Sequence, residues 1–451
     1  MAIRSSLIRL KDKYYHHNNI QECRRILNEF EQKSDADKLT IQKRRLDNLL
    51  SKVAYDVPYY QDLFRGMQIE ANNNSLLDRF SQIPFLSKPL IRENFDRIKN
   101  RHLEAKCWFL DKTGGSSGEP LVFIADGKFS DFGMAMMQAQ FNWAGKKELD
   151  THIKLWGSQR DILQGDIGLR SRISNWLYKT ILLNSFCMTL NDMQNYAEVI
   201  QASSPVFLEA YADSAYELAR YINRHSISIS SVTGVLTSAG TLFPFMRMEI
   251  EKAFHCKVFN RYGSREMGAI ACEKVGGQGL YVSTYTHLVE VVNEKGEHCQ
   301  PGEEGEIIIT CLTNSSFPFI RYRIGDRAIV KDIHQGQVNS CTVLENVSGR
   351  VSDSFMRRDG TVISSAFFIH FLGVVHNSGW LEKVQVNQLD YESVVIKMVV
   401  SSPPPVSDLH GIESSIKKVM GEDCMVEFTF EKELSALSSG KYQYTQSFLK
   451  R

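Results

Sequence analysis

The alternation of strand-like and helix-like segments between residues 206 and 259 constrains the fold most strongly. Residues 206–211 form a short apolar run typical of a buried strand, and residues 213–222 have the periodicity of an amphipathic helix with Asp213 as its predicted N-cap. The pattern repeats with strands at 232–236 and 257–259 and a helix at 245–254. Strands joined by crossover helices run parallel, so these segments predict a mostly parallel sheet covered on both faces.

Two polar loops follow strands of this predicted sheet. Residues 237–241 are Thr-Ser-Ala-Gly-Thr, and residues 260–266 are Asn-Arg-Tyr-Gly-Ser-Arg-Glu. The carboxyl ends of parallel strands meet at one edge of a sheet, which is where ligands bind in open α/β folds. Both loops are therefore expected on the ligand-binding side.

The segments on either side of this region have different patterns. Residues 1 to about 55 are helical in periodicity, and short β-type runs separated by turns predict a small barrel or meander at residues 280–350. We predict an α/β protein with a large N-terminal domain, 1–350, of mostly parallel sheets with a small β subdomain and a helical cap at 1–60. A small mobile α+β C-terminal domain, 351–451, is expected to follow.

A loop of glycines and hydroxyl residues, Lys-Thr-Gly-Gly-Ser-Ser-Gly-Glu-Pro at 112–120, lies between strand-like runs at 107–110 and 121–124. Glycines permit positive φ and close approach of the backbone, so amide N–H groups can converge on an anion. The hydroxyls of Thr113, Ser116 and Ser117 can donate further hydrogen bonds to phosphate oxygens. This loop is the predicted nucleotide site.

Two other motifs compete for the same residues. A Walker A loop is excluded because no glycine here is followed by the required Lys-[Ser/Thr] at the required spacing. Residues 114–118 do spell Gly-x-Ser-x-Gly, with Ser116 at the position of a hydrolase nucleophile, but that elbow leads directly into a helix. The Val-Phe-Ile run after Pro120 favours a strand instead. A glycine-rich hairpin without a ligand remains open on the loop alone.

Charge and cysteine usage narrow the class of partner. The 451-residue chain has 53 basic and 52 acidic side chains, so there is no net field to attract nucleic acid or an anionic membrane. Its nine cysteines include no C-x-x-C pair, which argues against a disulfide framework or a structural zinc site. No apolar run is long enough to span a bilayer or form a signal peptide. A small-molecule partner and a cytoplasmic location are predicted.

Four further stretches add groups that suit a nucleotide. Tyr262 offers a ring for stacking on a base, and Glu266 offers a carboxylate for Mg²⁺. Asp326, at the end of Pro-Phe-Ile-Arg-Tyr-Arg-Ile-Gly-Asp, can accept hydrogen bonds from ribose hydroxyls. Arg350 and Lys441 add cations near the start and end of the last domain.

In this order, and over nearly the whole chain, these motifs resemble the acyl-adenylate-forming superfamily, most closely its phenylacetate-CoA ligase and capsule-biosynthesis (CapK) branch. Asp-Val-Pro-Tyr-Tyr at 56–60, Leu-Ser-Lys at 86–88 and Ser-Gly-Lys-Tyr at 439–442 also match. The resemblance implies that Tyr262 stacks on adenine, Asp326 binds ribose and Glu266 ligates Mg²⁺. It also implies that Arg350 contacts ribose or phosphate, that Asp353 is a hinge and that Lys441 is the mobile catalytic lysine.

The remaining expected contacts fall into two sets. The residues expected to contact ATP are Thr113, Gly114, Gly115, Ser116, Ser117, Gly118, Ser238, Ala239, Gly240, Gly263 and Ser264. The candidate walls of the acid pocket are Phe141, Trp143, Trp156, Tyr211 and Ser238.

Three positions depart from the family pattern. Glu119 stands where many relatives have lysine, which places an acidic side chain near the triphosphate path. Gly240 occupies the place of a usual glutamate, and Ser352 that of a second hinge aspartate. The core set of predicted residues is unaffected.

The resemblance implies an ATP- and Mg²⁺-dependent ligase that makes an acyl-adenylate and passes the acyl group to CoA, a carrier or an amino sugar. The alternative is a nucleotide-binding scaffold or regulator without turnover, motivated by Glu119 and Gly240. The identity of the acid and the oligomeric state are not encoded in these motifs.

Overall fold

The computed structural model describes residues 19–68, 75–103, 108–113, 121–147, 150–157, 179–334, 338–348, 355–363, 365–372, 380–434 and 444–449. Among these, no helix combines the length and the apolar character needed to cross a bilayer. The chain divides into two compact units. Unit 1 comprises 1–112, 121–144 and 261–348, and unit 2 comprises 113–120, 145–260 and 349–451.

The elements are numbered here along the chain. The helices are α1 (Ile20–Glu31), α2 (Asp35–Asp56), α3 (Pro58–Gly66), α4 (Ser75–Asp78), α5 (Lys88–Glu93), α6 (Phe95–Ile98), α7 (Gly127–Trp143), α8 (Leu190–Ala202), α9 (Ala212–Arg224), α10 (Pro244–Phe254), α11 (Ser365–His370) and α12 (Val406–Met420), with a 3₁₀ turn at Phe80–Gln82. The first ten strands are β1 (Trp108–Lys112), β2 (Val122–Asp126), β3 (Thr151–Trp156), β4 (Thr180–Asn184), β5 (Cys187–Met188), β6 (Val206–Tyr211), β7 (Val232–Ser238), β8 (Val258–Ser264), β9 (Gly268–Glu273) and β10 (Leu280–Val282). The others are β11 (His287–Val292), β12 (Glu304–Cys311), β13 (Tyr322–His334), β14 (Ser340–Ser348), β15 (Phe355–Met356), β16 (Val362–Ile363), β17 (Leu381–Asp390), β18 (Ser393–Val400), β19 (Met425–Phe430) and β20 (Thr445–Ser447).

Unit 1 is built on an antiparallel sheet. Its strands follow the order β11, β12, β13, β14, β10, β9, and the last four residues of β8 complete it by pairing with β9. Helices α2 and α3 pack their apolar faces, around Leu50 and Tyr60, into one buried cluster that includes Leu288 and Ile320. A second cluster joins β1, β2 and α7 to the sheet through residues such as Phe123.

Unit 2 contains a parallel sheet in the order β4, β3, β6, β7 and the first residues of β8. Helices α8, α9 and α10 bury their apolar faces against one side of it, with Leu155, Leu208 and Val235 in the shared core. The C-terminal part of the unit is a four-stranded sheet, β19, β18, β17, β20, packed on α12. The short strand β16 pairs with β5, so the segment after residue 354 is hydrogen-bonded to the part of the unit that holds the parallel sheet.

This architecture confirms the predicted fold class. A mixed α/β protein with parallel strands, an antiparallel β part and a smaller C-terminal sheet is what the periodicities indicated. The predicted helix at 245–254 is α10, and the predicted strand at 206–211 coincides with β6. The domain boundary near residue 350 and the mobility of the last domain stay predictions.

Two local predictions were wrong. Asp213 is not an N-cap: α9 begins one residue earlier, and the Oδ2 atom of Asp213 instead accepts hydrogen bonds from the backbone N and Oγ of Ser365, at 3.2 and 3.0 Å. Residues 260–264 are not a loop, because β8 continues to Ser264 and folds back onto β9. For Asp213 the partner lies 152 residues away in the chain, whereas residues 261–264 pair with the strand that follows them in a tight hairpin.

A buried ion pair fixes the start of β13. The guanidinium of Arg321 binds Glu290 of β11 through two hydrogen bonds, Nε to Oε2 at 3.1 Å and Nη2 to Oε1 at 2.9 Å. Its Nη1 donates to the carbonyl oxygens of Ser81 and Ile83. The Arg321 side chain is 5% exposed and that of Glu290 is 1% exposed, so each charge is the main compensation of the other, with His298 Nε2 3.5 Å from Oε1 of Glu290 as a second, partly exposed neighbour.

The losses in unfolding free energy from removing Arg321 and from removing Glu290 should not be additive. We expect Arg321→Met or Glu290→Leu alone to lower the free energy of unfolding by about 3 to 5 kcal/mol, because each leaves a buried charge without its partner. The double variant should lose clearly less than the sum of the single losses. Urea unfolding of the four proteins measures this coupling, and strictly additive losses would contradict the assignment.

Candidate functional site

The glycine-rich loop connects two antiparallel strands, as predicted. Strand β1 pairs with β2 from Trp108 opposite Asp126 to Lys112 opposite Val122. A hydrolase nucleophile elbow requires a strand that turns directly into a helix, so the strand–loop–strand arrangement excludes that interpretation of Ser116. Thr113 is buried, whereas residues 114–118, with Gly114, Gly115, Ser117 and Gly118, lie outside the described residues.

The two residues expected to hold adenosine are in direct contact within unit 1. The hydroxyl of Tyr262, on β8, donates to Oδ2 of Asp326, on β13, at 2.8 Å. This hydrogen bond joins positions 64 residues apart in the chain. It holds an aromatic ring and a carboxylate side by side, as recognition of a base and its ribose requires.

The third predicted residue, Glu266, lies in the turn between β8 and β9. It is 4% exposed and accepts a hydrogen bond from the hydroxyl of Tyr322 at 3.3 Å. Tyr322 is itself fully buried and starts the strand that carries Asp326. Tyr322 therefore connects Glu266 to the strand of Asp326, and the sequence analysis did not identify it as a site residue.

One glycine and one serine shape the turn that carries Glu266. A Cβ atom on Gly263 would lie 2.5 Å from the carbonyl oxygen of Gly268, so the close approach of β8 to β9 requires glycine there. The hydroxyl of Ser264 accepts a hydrogen bond from the backbone N of Met267 at 3.2 Å. The glycine and serine of this motif thus serve the hairpin, and their predicted contacts with ATP remain untested.

The end of β1 lies against the same turn. The Nη1 atom of Arg265 is 3.4 Å from the backbone oxygen of Lys112 and 3.6 Å from Oδ1 of Asp111. Lys112 is the residue immediately before Thr113. The last two residues of β1 therefore lie next to the turn that carries Glu266.

His287 supports this turn from the interior of unit 1. Its Nε2 lies 2.8 Å from the carbonyl oxygen of Met267, and its Nδ1 lies 2.9 Å from Oγ1 of Thr286. Complete burial lowers the pKa of His287 from 6.5 to about 4, so the ring is neutral near pH 7. A neutral ring that donates through Nε2 holds the backbone directly after Glu266.

In unit 2 the parallel strands bring three of the candidate acid-pocket residues together. The rings of Trp156 and Tyr211 have centroids 4.1 Å apart, and Tyr211 is paired in register with Ser238. Phe186 lies against Tyr211 with centroids 6.5 Å apart and fills the space that any side chain at Gly157 would need. These residues form an aromatic group at the carboxyl ends of the strands, where a ligand is expected.

The other two candidates belong to unit 1. Phe141 is buried, with the guanidinium carbon of Arg261 5.6 Å from its ring centroid. Trp143 carries the ammonium of Lys274 3.7 Å from its ring centroid. Both are packed side chains there, and their predicted role as acid-pocket walls stays a prediction.

The segment after Ser238 contains Gly240, one of the departures from the family pattern. Ala239 adopts a positive φ of 60°, which is unusual for a residue with a side chain. Gly240 does not, and a Cβ atom there would meet only Cβ of Ala212, at 3.6 Å. The backbone therefore does not require glycine at position 240. Arg350, Asp353 and Lys441 lie outside the described residues.

Comparison with known proteins finds similarity in both sequence and fold. Residues 355–447 match the CapK C-terminal domain. Protein CapK of Staphylococcus aureus is 21% identical over 429 residues, covering 92% of this chain and 90% of CapK. The phenylacetate-coenzyme A ligase of Escherichia coli strain K12 is 23% identical over 375 residues, covering 80% of this chain and 83% of the ligase. A crystal structure of 2-hydroxyisobutyryl-CoA ligase, with 2-HIB-AMP and CoA in the thioesterification state, superimposes with a TM-score of 0.58 at 14% identity, covering 92% of this chain and 91% of that one.

The similarity in sequence to CapK and to phenylacetate-CoA ligase bears out the resemblance that the sequence motifs indicated. The fold of this chain is that of the solved ligase over most of its length.

The environment of Glu266 fits a magnesium ion of the kind this superfamily implies. The carboxylate is buried, and among the described residues it has a hydrogen bond from Tyr322 but no cationic partner. A buried carboxylate with unused lone pairs is costly unless a cation or further donors compensate it. The described residues contain no group of three or more potential metal ligands, and Mg²⁺ characteristically binds one or two carboxylates together with substrate phosphates and water.

The burial of His287 predicts a dependence of stability on pH. The unfolded chain binds a proton at this residue below pH 6.5, whereas the folded protein does so only below about pH 4, so this stabilising contribution is present above pH 6.5 and is lost as the pH falls toward 4. The loss is about 3 kcal/mol. In His287→Gln, whose amide can still donate to Met267, the free energy of unfolding should fall less steeply between these two pH values. Urea unfolding across this range, with the exposed His410→Gln as control, measures the difference, and equal slopes in all three proteins would contradict it.

The contact between Tyr262 and Asp326 predicts a selective effect on nucleotide binding. Tyr262→Phe keeps the ring but removes the hydrogen bond that orients Asp326, so the Kd for ATP should rise about tenfold. Tyr281→Phe, in the same sheet, removes a hydroxyl without a hydrogen-bond partner among the described residues and should leave the Kd unchanged. Equilibrium titration with ATP measures both variants. An unchanged Kd in Tyr262→Phe would show that the contact does not serve the nucleotide.

Proposed function

We propose that this protein uses ATP to convert a carboxylic acid into an acyl-adenylate and then transfers the acyl group to a thiol or amine acceptor, with CoA as the first acceptor to test. One observation carries the proposal: Tyr262 and Asp326 form a hydrogen-bonded pair, and buried Glu266 is connected to the same strand through Tyr322. A ring, a carboxylate for ribose and a carboxylate for a cation are the groups that an adenine nucleotide needs.

The first step brings two anions together. A carboxylate oxygen of the acid attacks the α-phosphorus of ATP, the new oxygen–phosphorus bond forms, and the bond to pyrophosphate breaks so that pyrophosphate leaves. Both the attacking carboxylate and the phosphates are negative, so the transition state requires nearby positive charge. Bound Mg²⁺ would neutralise part of that charge, and Glu266 is the residue proposed to hold it. Lys441 is the cation proposed to act on the α-phosphate, by its position in the family motif.

The second step transfers the acyl group. The acceptor's thiolate or amine attacks the carbonyl carbon of the adenylate, and AMP leaves with the electron pair of the broken carbon–oxygen bond. The solved ligase that shares this fold contains both 2-HIB-AMP and CoA, which supports CoA as the acceptor to test first. Asp353 is proposed as the hinge for the change between the steps. A carrier or an amino sugar is a further proposed acceptor, motivated by the similarity to CapK.

A second candidate function is a nucleotide-binding scaffold or regulator. Two departures from the family pattern favour it, Glu119 in place of a lysine and Gly240 in place of a usual glutamate. The structure adds that Gly240 has room for a side chain, so its absence there is not imposed by packing.

Pyrophosphate release separates the two candidates. We expect acid-dependent release from ATP for at least one member of a panel of carboxylic acids, with a hydroxamate formed when hydroxylamine is added. Lys441→Ala should lower this rate by about a hundredfold or more, because it removes one preorganised charge from the transition state. Lys432→Ala, an exposed lysine nine positions earlier, is the matched control and should retain the rate.

The scaffold makes the opposite prediction. ATP would bind with measurable affinity, no acid would release pyrophosphate, and Lys441→Ala would change neither result. Glu266→Gln provides an independent check, since in the ligase it should raise the Mg²⁺ concentration needed for half-maximal rate.

A further inference from the structure

The register of the parallel sheet in unit 2 aligns side chains into rows across the strands. Trp156 is paired with Asn184 of β4, and Tyr211 is paired with Ser238 of β7. The strands β3 and β6 are neighbours, and their rings at 156 and 211 lie in contact. These four residues therefore form one row at the carboxyl ends of the strands.

A second row lies one layer deeper on the same face. Side chains alternate between the faces of a strand, and Leu155 and Ala210 belong to the core under the helices, so residues 154, 156, 209 and 211 point to the other face. Lys154 is paired in register with Glu209. The only charged side chains of β3 and β6 that face this side are thus directly beneath Trp156 and Tyr211, apart from His152 one step further down.

These side chains form a cluster around the buried carboxylate of Glu209. The Nζ atom of Lys154 lies 3.5 Å from Oε2 of Glu209, and Nε2 of His152 lies 3.1 Å from the same oxygen. Glu209 is 1% exposed, whereas the side chain of Lys154 is 31% exposed. The ammonium of Lys154 is also 4.9 Å from the ring centroid of Trp156, so the lysine extends from the deeper row toward the aromatic row.

An ion pair inside a sheet contributes little net stability to the fold. The desolvation of two charges offsets most of their attraction, and apolar residues of similar volume at these positions stabilise a fold equally well or better. The neighbouring positions in the same row are in fact apolar, with Leu182 beside Lys154 and Leu236 beside Glu209. Charged groups kept in such a place, beneath a ligand-binding edge, are candidates for ligand recognition.

We propose that Lys154 and Glu209 form a polar end of the acid pocket and select acids that carry a hydroxyl group away from the reacting carboxylate. This inference rests on the proposed function, and on Trp156 and Tyr211 being walls of the acid pocket. The hydroxyl is recognised by the pair, while the rings of Trp156 and Tyr211 contact the carbon skeleton.

The chemistry of the pair favours a hydroxyl over other groups. A hydroxyl both donates and accepts, so it can donate to the carboxylate of Glu209 and accept from the ammonium of Lys154. A second carboxylate on the substrate would be attracted by Lys154 but repelled by Glu209 3.5 Å away, so the ion pair offers it little net attraction. A purely apolar acid would displace the water that solvates Lys154 and would not replace its hydrogen bonds, so its binding would carry a desolvation cost.

Matched acids that differ by one hydroxyl test this inference. Pyrophosphate release is measured with phenylacetate and its para-hydroxy derivative, and with butanoate and its beta-hydroxy derivative. For at least one pair, the hydroxylated acid should have a kcat/KM at least about tenfold higher than that of its partner. In Lys154→Met the preference should fall to within about twofold, while the rate with the apolar acid is retained or increased.

Two further variants control for misfolding and for nonspecific effects of losing a lysine. The double variant Lys154→Met with Glu209→Gln leaves no single charge buried, so it should fold and should also lack the preference. Lys257→Met replaces an exposed lysine of unit 2 that precedes β8, and it should keep the wild-type preference.

The outcomes distinguish this inference from the function on which it rests. Equal use of both members of every pair by the wild type, or a preference that survives in both Lys154 variants, would overturn the hydroxyl inference and leave acyl-adenylate formation standing. Absence of acid-dependent pyrophosphate release with every acid would instead contradict the proposed function, and the inference would fall with it.

Discussion

The hydrogen bond between Tyr262 and Asp326 is the contact on which the candidate nucleotide site depends. It joins β8 to β13, two strands that are not neighbours in the antiparallel sheet of unit 1. The ring and the carboxylate that it connects come from motifs that have no contact along the chain. Without this bond the two side chains would adopt rotamers independently. The distance between the ring that stacks on the base and the carboxylate that binds the ribose would then not be preorganised.

The surrounding polar groups of unit 1 restrain the same two strands. Arg321 and Glu290 anchor the residue before β13, and Tyr322 at its start donates to Glu266. His287 holds the carbonyl of Met267, directly after Glu266. Arg321, Glu290, Tyr322 and His287 are buried, and each is bonded to a partner from a different element, which is the condition under which buried polar groups rigidify a structure instead of weakening it.

In unit 2 the arrangement of side chains is set by strand register, because the parallel sheet has one apolar face and one face of mixed polar and aromatic residues. Leu155, Leu208 and Val235 pack under the helices, so pairing with a one-residue slip would expose them and is strongly disfavoured. The register that buries this apolar set also places Lys154 opposite Glu209 and Trp156 beside Tyr211. The polar and aromatic rows therefore follow from the packing of the opposite face.

The sequence by itself determined the elements and the family. Periodicity predicted the parallel strands around residue 208 and the helix α10, because hydrophobic spacing is a local property of the chain. The order of the motifs indicated the resemblance to the adenylate-forming superfamily and pointed to Tyr262, Glu266 and Asp326. Only the tertiary structure decided that Tyr262 lies on a strand and bonds Asp326, that Asp213 binds Ser365 and does not cap its helix, and that Lys154 meets Glu209. Those contacts depend on which strands pair and in which register, and pairing between distant segments is set by the packing of the whole unit, which no local pattern contains.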